Sequence, residues 1–278
     1  MTLPSRRAYH AIYDENLSEA LEYASQNEWS GIAPDLGVPS FSPERYSERN
    51  RRELRENLQK LSLEFGIHAP GDDISLFTSY PPVRIAILNY FKSIIDFARD
   101  ICIGQTTIVV HAGSPPSFKQ AGHFEDAFLK DRYSFYFTIL HETLLALIDY
   151  GGESVSIALE NHGWDKIVHE VIGVLVPQGL KLCLDIPKLY YPSLREDDFS
   201  IFEEYKEAIE VVHVHDQDER IGSHQVVGDG AVAFEPALRF LSELSVKPMY
   251  VFEVRPRNAA HRSLVNFANL LDDYGLSL

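Results

Sequence analysis

The chain has 278 residues, and 25 Lys plus Arg against 41 Asp plus Glu leave a net charge of −16. Apolar residues make up 45% of it, enough for a sizeable core, which excludes disorder as the general state. So acidic a chain repels long polyanions, and nucleic acid is not an expected partner. Cys102 and Cys183 lie far apart in apolar segments, so neither a disulfide framework nor a cysteine-based zinc site is expected.

Met1 to Asp14 holds Arg6, Arg7, Tyr9 and His10 but no apolar block followed by a small-residue cleavage site. No apolar run reaches the roughly eighteen residues of a membrane span. The expectation is a cytoplasmic protein with no membrane partner.

Short β-branched runs then alternate with longer amphipathic ones. Strands are predicted at Tyr9–Tyr13, Gly31–Asp35, Phe65–Ala69, Thr107–His111, Val155–Glu160, Leu180–Asp185, Val211–His215 and Met249–Val254. Helices are predicted at Leu17–Gln26, Glu44–Leu63, Pro82–Cys102, Phe124–Tyr150, Lys166–Val176, Phe199–Ala208, Phe234–Leu244 and Arg262–Tyr274. In the third helix Leu88, Phe91, Ile94, Ile95, Ala98 and Cys102 keep the i, i+3, i+4, i+7 spacing of one buried face. Strict alternation argues for a parallel sheet with right-handed crossovers, and eight units fit a closed (β/α)8 TIM barrel. No GxGxxG follows the first strand, which weakens dinucleotide binding, and no linker divides residues 1–278, read as a single domain.

In such a barrel the chemistry sits at the C-terminal ends of the strands. From the third strand onward these ends read His68-Ala69-Pro70, His111-Ala112-Gly113, Glu160-Asn161-His162, Asp185-Ile186-Pro187-Lys188, His213-Val214-His215-Asp216 and Glu253-Val254-Arg255. A lone histidine or carboxylate at a strand end is usually a turn or cap residue. Convergence of so many changes the argument, because charges gathered at one rim repel each other unless a cation or a substrate compensates. Glu160, Asp185 and Glu253 with a neutral nitrogen from His215 suit one divalent cation such as Mn, Mg or Co, or Zn if further histidines join. His213 and His215 are two apart and share a side of the strand, so His213 is expected to pack beneath the ligand His215. His224 lies on a loop ending in Gly228-Asp229-Gly230, where backbone can approach a ligand or simply turn. Arg255 is placed either to hold a substrate phosphate or carboxylate or to make a rim salt bridge. Asn161 and Trp164 either line the pocket or pack.

From Ile67 to Arg255 these motifs resemble the xylose isomerase-like barrel superfamily of sugar isomerases, ketose 3-epimerases, inosose dehydratases and endonuclease IV-type enzymes. The parts that match are His-Ala-Pro at 68–70, His-Ala-Gly at 111–113, Leu-Glu-Asn at 159–161, Leu-Asp at 184–185, His-x-x-Asp at 215–218, His-x-x-x-Gly-x-Gly at 224–230 and Glu253. The resemblance implies that Glu160, Asp185, His215 and Glu253 hold the metal. It also implies that Glu160 and Glu253 are the acid/base pair of an isomerase or epimerase acting on a sugar or polyol. His68, His111 and His224 match positions of additional metal ligands in the endonuclease branch. Two positions depart from the pattern: Lys188 stands where Asp-x-x-His is common, and Gly222 where the nuclease branch has Asp. Both departures count against a metal-dependent phosphodiesterase. A polyol dehydratase and a non-catalytic sugar- or metal-binding barrel are also compatible with the motifs, and self-association stays open. Lys188, beyond a proline that stiffens the turn, is expected near the rim, either contacting substrate and limiting the site to one metal or exposed as a plain surface lysine.

Overall fold

The computed structural model describes residues 3–71, 73–115 and 126–278, with the side chains of the last stretch from residue 133 onward. Strands β1 (Arg7–Ala11), β2 (Gly31–Pro34), β3 (Glu64–Phe65), β4 (Ile67–His68), β5 (Thr106–Val110), β6 (Val155–Glu160), β7 (Lys181–Asp185) and β8 (Ile209–Val214) are followed by a hairpin, β9 (Asp216–Asp218) and β10 (Gly222–Gln225), and then by β11 (Met249–Phe252). Around them run α1 (Leu17–Gln26), α2 (Glu48–Leu61), α3 (Pro81–Ile101), α4 (Asp126–Gly151), α5 (Lys166–Leu175), α6 (Ile186–Tyr190), α7 (Glu196–Glu204), α8 (Phe234–Ser242) and α9 (Arg257–Tyr274).

All barrel pairings are parallel, in the order β3-β2-β1-β11-β8-β7-β6-β5-β4. The two ends of that order are consecutive in sequence. β3 pairs with β2 and β4 with β5, so they are two halves of one strand that changes neighbours at Gly66 and brings the sheet round on itself. A side chain at Gly66 would meet Met249 Sδ at 3.2 Å, so the close approach there favours glycine. The architecture is thus the expected (β/α)8 barrel.

The helices form for local reasons and are held by one apolar face. In α5, Asp165 caps the first turn by accepting from the N–H groups of Ile167 and Val168, at 2.9 and 3.1 Å. Its buried face is Ile167, Val168, Val171, Ile172 and Leu175. Inside the barrel the side chains alternate by two. A floor of small apolar groups, Ala8, Ala33, Val109, Ala158, Cys183, Val211 and Val251, is fully shielded from water. Two residues further along the same strands come His10, His111, Glu160, Asp185, His213 and Glu253. The period-two rule that builds a dry floor therefore delivers a polar layer directly above it.

Several local features differ from expectation. The second helix begins at Glu48 rather than Glu44, because Pro43–Arg45 forms a separate 3-10 turn and Ser47 supplies the cap. The segment after Asp185 is a short helix, α6, and the glycine-containing loop after His215 opens as the β9–β10 hairpin. The expected start of the fourth helix at Phe124 lies outside the described residues. Among the described residues no helix is long and apolar enough to cross a membrane. A cavity of about 450 Å³ opens at the opposite, N-terminal end of the barrel, lined among others by Arg6, Glu64, Gln105 and Met249, and holds none of the candidate residues.

Candidate active site

The C-terminal mouth gathers the predicted residues. Glu160, at the end of β6, is fully buried and uses its two oxygens differently. Oε2 faces imidazoles, with His68 Nε2 at 3.3 Å, His111 Nε2 at 3.2 Å and His213 Nδ1 at 3.2 Å. Oε1 is held by the ammonium of Lys188. Asp185, at the end of β7, receives the same ammonium on Oδ2 at 2.9 Å, and His215 Nε2 lies 3.4 Å from that oxygen. Glu253, one residue past β11, has His213 Nδ1 at 3.4 Å on Oε1 and His224 Nε2 at 3.6 Å on Oε2.

Register explains why His213 sits so centrally. It pairs with Asp185 on one side and Val251 on the other, which places it in the carboxylate layer, with His215 one step nearer the mouth. Glu160 and Glu253 therefore converge on the same ring nitrogen, His213 Nδ1. His215 approaches Asp185 from above and stacks on His224, their ring centres 4.5 Å apart.

Burial alone would push all three carboxyl groups up, yet each is held below the usual carboxylate range. For Glu160 the opposing causes are the charges of Lys188 and His213, for Asp185 those of Lys188 and His215, and for Glu253 the His213 charge with the hydrogen bond to His224. Lys188 is pushed up: burial works against its charge, but Asp185 and Glu160 outweigh it. Burial likewise disfavours a charged His68, and bonding to Glu160 overcomes this to reach about 9. His10 goes the other way, down to about 3, because burial dominates and the Glu253 charge offsets it only in part.

His10 carries no strand-end signal in the sequence, yet it joins the site. It lies in β1 beside Ala33 of β2, and its Nε2 is 3.9 Å from Glu253 Oε1. His162 is a second addition, stacked flat on His111 with ring centres 4.3 Å apart. Asn161 acts on position rather than lining: its side chain accepts from the Asp185 N–H at 2.7 Å and donates to the Asp185 carbonyl at 3.1 Å. Trp164 packs on Phe202 with ring centres 5.2 Å apart. Arg255 lies over the exposed ring of Tyr13, 5.7 Å from its centroid, and makes no ion pair among the described residues. The loop carrying His224 is tied down by Asp216, whose carboxylate accepts from the N–H groups of Gly228, Gly230 and Val232 at 2.8, 3.0 and 3.0 Å.

The donor set fits a divalent cation. Donor atoms within 4.8 Å of one another occur in His68–Glu160–His213, Asp185–His213–Glu253, His215–His224–Glu253 and His111–Glu160–His162. His68 and His215 each turn Nδ1 to a backbone carbonyl, at 3.0 and 3.1 Å, which aims Nε2 at the carboxylates, as ligating imidazoles do. His10 Nε2 and His213 Nδ1 are buried without a hydrogen-bond partner of acceptable geometry. His213, expected to pack beneath the ligand His215, thus directs a nitrogen of its own to Glu160 and Glu253, while His215 faces Asp185.

A closed parallel barrel with a polar, acid- and histidine-rich mouth above a dry floor defines a mouth-of-barrel site of the kind enzymes use. The sequence profile of the xylose isomerase-like TIM barrel family matches residues 21–271, and the chain belongs to that family. Among solved structures it is similar to a D-tagatose 3-epimerase-like protein, at 19% identity and a TM-score of 0.75 over 97% of this chain and 98% of that one. It also resembles 3-keto-D-glucoside 4-epimerase YcjR from E. coli, at 14% identity and a TM-score of 0.68 over 96% and 99% of the two chains. The zinc-binding IolI protein matches at 16% identity and a TM-score of 0.68 over 97% and 98%. Likeness at these identities speaks for the fold. Among curated protein sequences none matches the chain.

Proposed function

We propose that this protein is a divalent-metal-dependent epimerase or isomerase of a sugar or related polyol, working by proton abstraction next to a carbonyl. The observation that carries this is the convergence of Glu160 and Glu253, from separate strands, on one imidazole nitrogen, His213 Nδ1, at 3.2 and 3.4 Å, above a floor that excludes water. Likeness to a D-tagatose 3-epimerase-like protein and to a 3-keto-D-glucoside 4-epimerase supports it. In this reading Glu160, Asp185, His215 and Glu253 hold one cation. When bound, such a cation supplies polarisation of a chelated α-hydroxycarbonyl, which makes the adjacent C–H acidic.

The rest is done by side chains of the chain itself. One glutamate accepts the C–H proton on a carboxylate oxygen, and the other returns a proton to the opposite face or the neighbouring carbon. Both are ionised at neutral pH because cationic neighbours outweigh their burial, so either is competent as the base. His68 and His111 hold Glu160 Oε2 in place, and Asn161 fixes the backbone that presents Asp185. Arg255, without an anionic partner among the described residues, is suited to a substrate phosphate or carboxylate at the rim.

The test is solvent deuterium incorporation into a panel of ketoses, aldoses and inososes with Mn, Mg, Co or Zn supplied. Exchange next to the carbonyl is the expected result. Loss of water from an inosose without exchange into the sugars would favour a dehydratase, and no reaction across the panel would sink the proposal. Incision of abasic duplex DNA is not expected, given a net charge of −16 and Gly222 in place of a carboxylate.

A further inference from the structure

We infer that Lys188 is a built-in counter-cation: its ammonium holds the place between Glu160 and Asp185 that a divalent cation would take, and metal enters only by displacing it toward the mouth. This rests on the metal reading above and adds what governs occupancy of that site.

The ammonium contacts one oxygen of each carboxylate, Glu160 Oε1 and Asp185 Oδ2. Every other oxygen of the pair is engaged elsewhere: Glu160 Oε2 faces three imidazoles, and Asp185 Oδ1 accepts the backbone N–H of Lys188 at 3.1 Å. The oxygens most open to a cation are thus those the lysine already holds. A metal coordinated at about 2.0–2.3 Å by the same two oxygens cannot coexist with an ammonium at hydrogen-bond distance from both, on grounds of volume and of like charge.

Only the side chain can give way. Asp185 caps α6, Pro187 sits in its first turn, and Ile186, Pro187, Leu189 and Tyr190 are buried, so the backbone of Lys188 is fixed. The Lys188 side chain is 27% exposed while both carboxylates are fully buried, so the ammonium reaches in from the solvent side and its way out is the mouth. A tethered ammonium competes as an intramolecular ligand, with no association cost, which lowers apparent metal affinity without blocking the site. It also keeps the metal-free pocket from holding three buried carboxylates with only histidines for compensation. The released ammonium then lies at the rim, where a substrate oxygen arrives.

The test uses the full chain stripped with chelator. Lys188→Met removes the charge while keeping the stem, and Zn2+ or Mn2+ titrated alone by calorimetry should bind it at least tenfold more tightly than the parent. Independently of any variant, limited acetylation of the parent with acetic anhydride should modify Lys188 at least fivefold faster at saturating Zn2+ than without metal, while exposed Lys166 is unchanged. Binding by the variant alone would also support the inference. Equal or weaker affinity of Lys188→Met, or acetylation of Lys188 that metal does not accelerate, overturns the inference and leaves the metal reading standing. Absence of binding by parent and variant alike overturns both. If Lys188→Met does not fold without metal, the acetylation comparison decides alone.

Discussion

Lys188 grips both oxygens of Asp185, its backbone N–H on Oδ1 at 3.1 Å and its ammonium on Oδ2 at 2.9 Å. Asp185 is therefore at once the cap of α6 and a carboxylate of the site. The two roles separate by substitution. Asp185→Asn keeps an oxygen for the cap but loses the charge, whereas Asp185→Ala loses both. Metal affinity should fall sharply in each, and Asp185→Ala should be less stable than Asp185→Asn by about 1 kcal/mol, the usual worth of a cap. Calorimetric metal titration and urea denaturation read the two effects apart.

Glu160→Gln and Glu253→Gln should each reduce deuterium exchange by about 100-fold or more, since an amide cannot take the proton. Metal content has to be measured alongside, because both residues are also proposed ligands. A variant that keeps its metal and loses exchange identifies proton transfer. Full exchange in both variants would remove the acid/base assignment.

The eight strands and most helices are legible in the sequence because each carries its own signal: β-branched runs, period-two alternation and one apolar helical face. Residues at strand ends, such as Glu160 after Ala158-Leu159, follow directly. His10 does not. The sequence pattern puts its strand at Tyr9–Tyr13 rather than Arg7–Ala11, and membership of the polar layer depends on pairing with Ala33 across β1 and β2, which a single strand does not disclose. The central position of His213 has the same origin, since it is set by register against Asp185 and Val251. α6 does have a local signal in an Asp cap followed by proline, but Pro187 reads equally well as a stiff turn.

Gly230 should tolerate no side chain. A Cβ there would meet Asp216 Oδ1 at 2.3 Å, and the Asp216 carboxylate holds the N–H groups of Gly228, Gly230 and Val232. Gly230→Ala must push that carboxylate off at least one of its donors, at a cost of roughly 1–3 kcal/mol. The affected loop leads back to His224, so metal affinity should fall along with stability. A parent-like urea midpoint would show that Asp216 can shift freely.

Stability of the chelated protein should depend on pH through His10 with a definite sign. Its pKa is about 3 in the folded chain against an ordinary 6.5, so between those values the unfolded chain binds a proton that the folded one refuses. Stability is therefore lost as pH falls from 6.5 toward 3, by up to about 1.4 kcal/mol per pH unit for one proton. His68 has the opposite sign. With a folded value of about 9, its contribution is complete below 6.5 and disappears as pH rises through 9. Carboxylates add their own acid slope, so the decisive comparison is with His10→Leu. That variant should lose stability less steeply than the parent between pH 6 and pH 4, while both behave alike on the alkaline side, where His68 titrates. Parallel acid slopes in urea melts of the two proteins would mean that His10 takes up its proton in the folded state as readily as in the unfolded one.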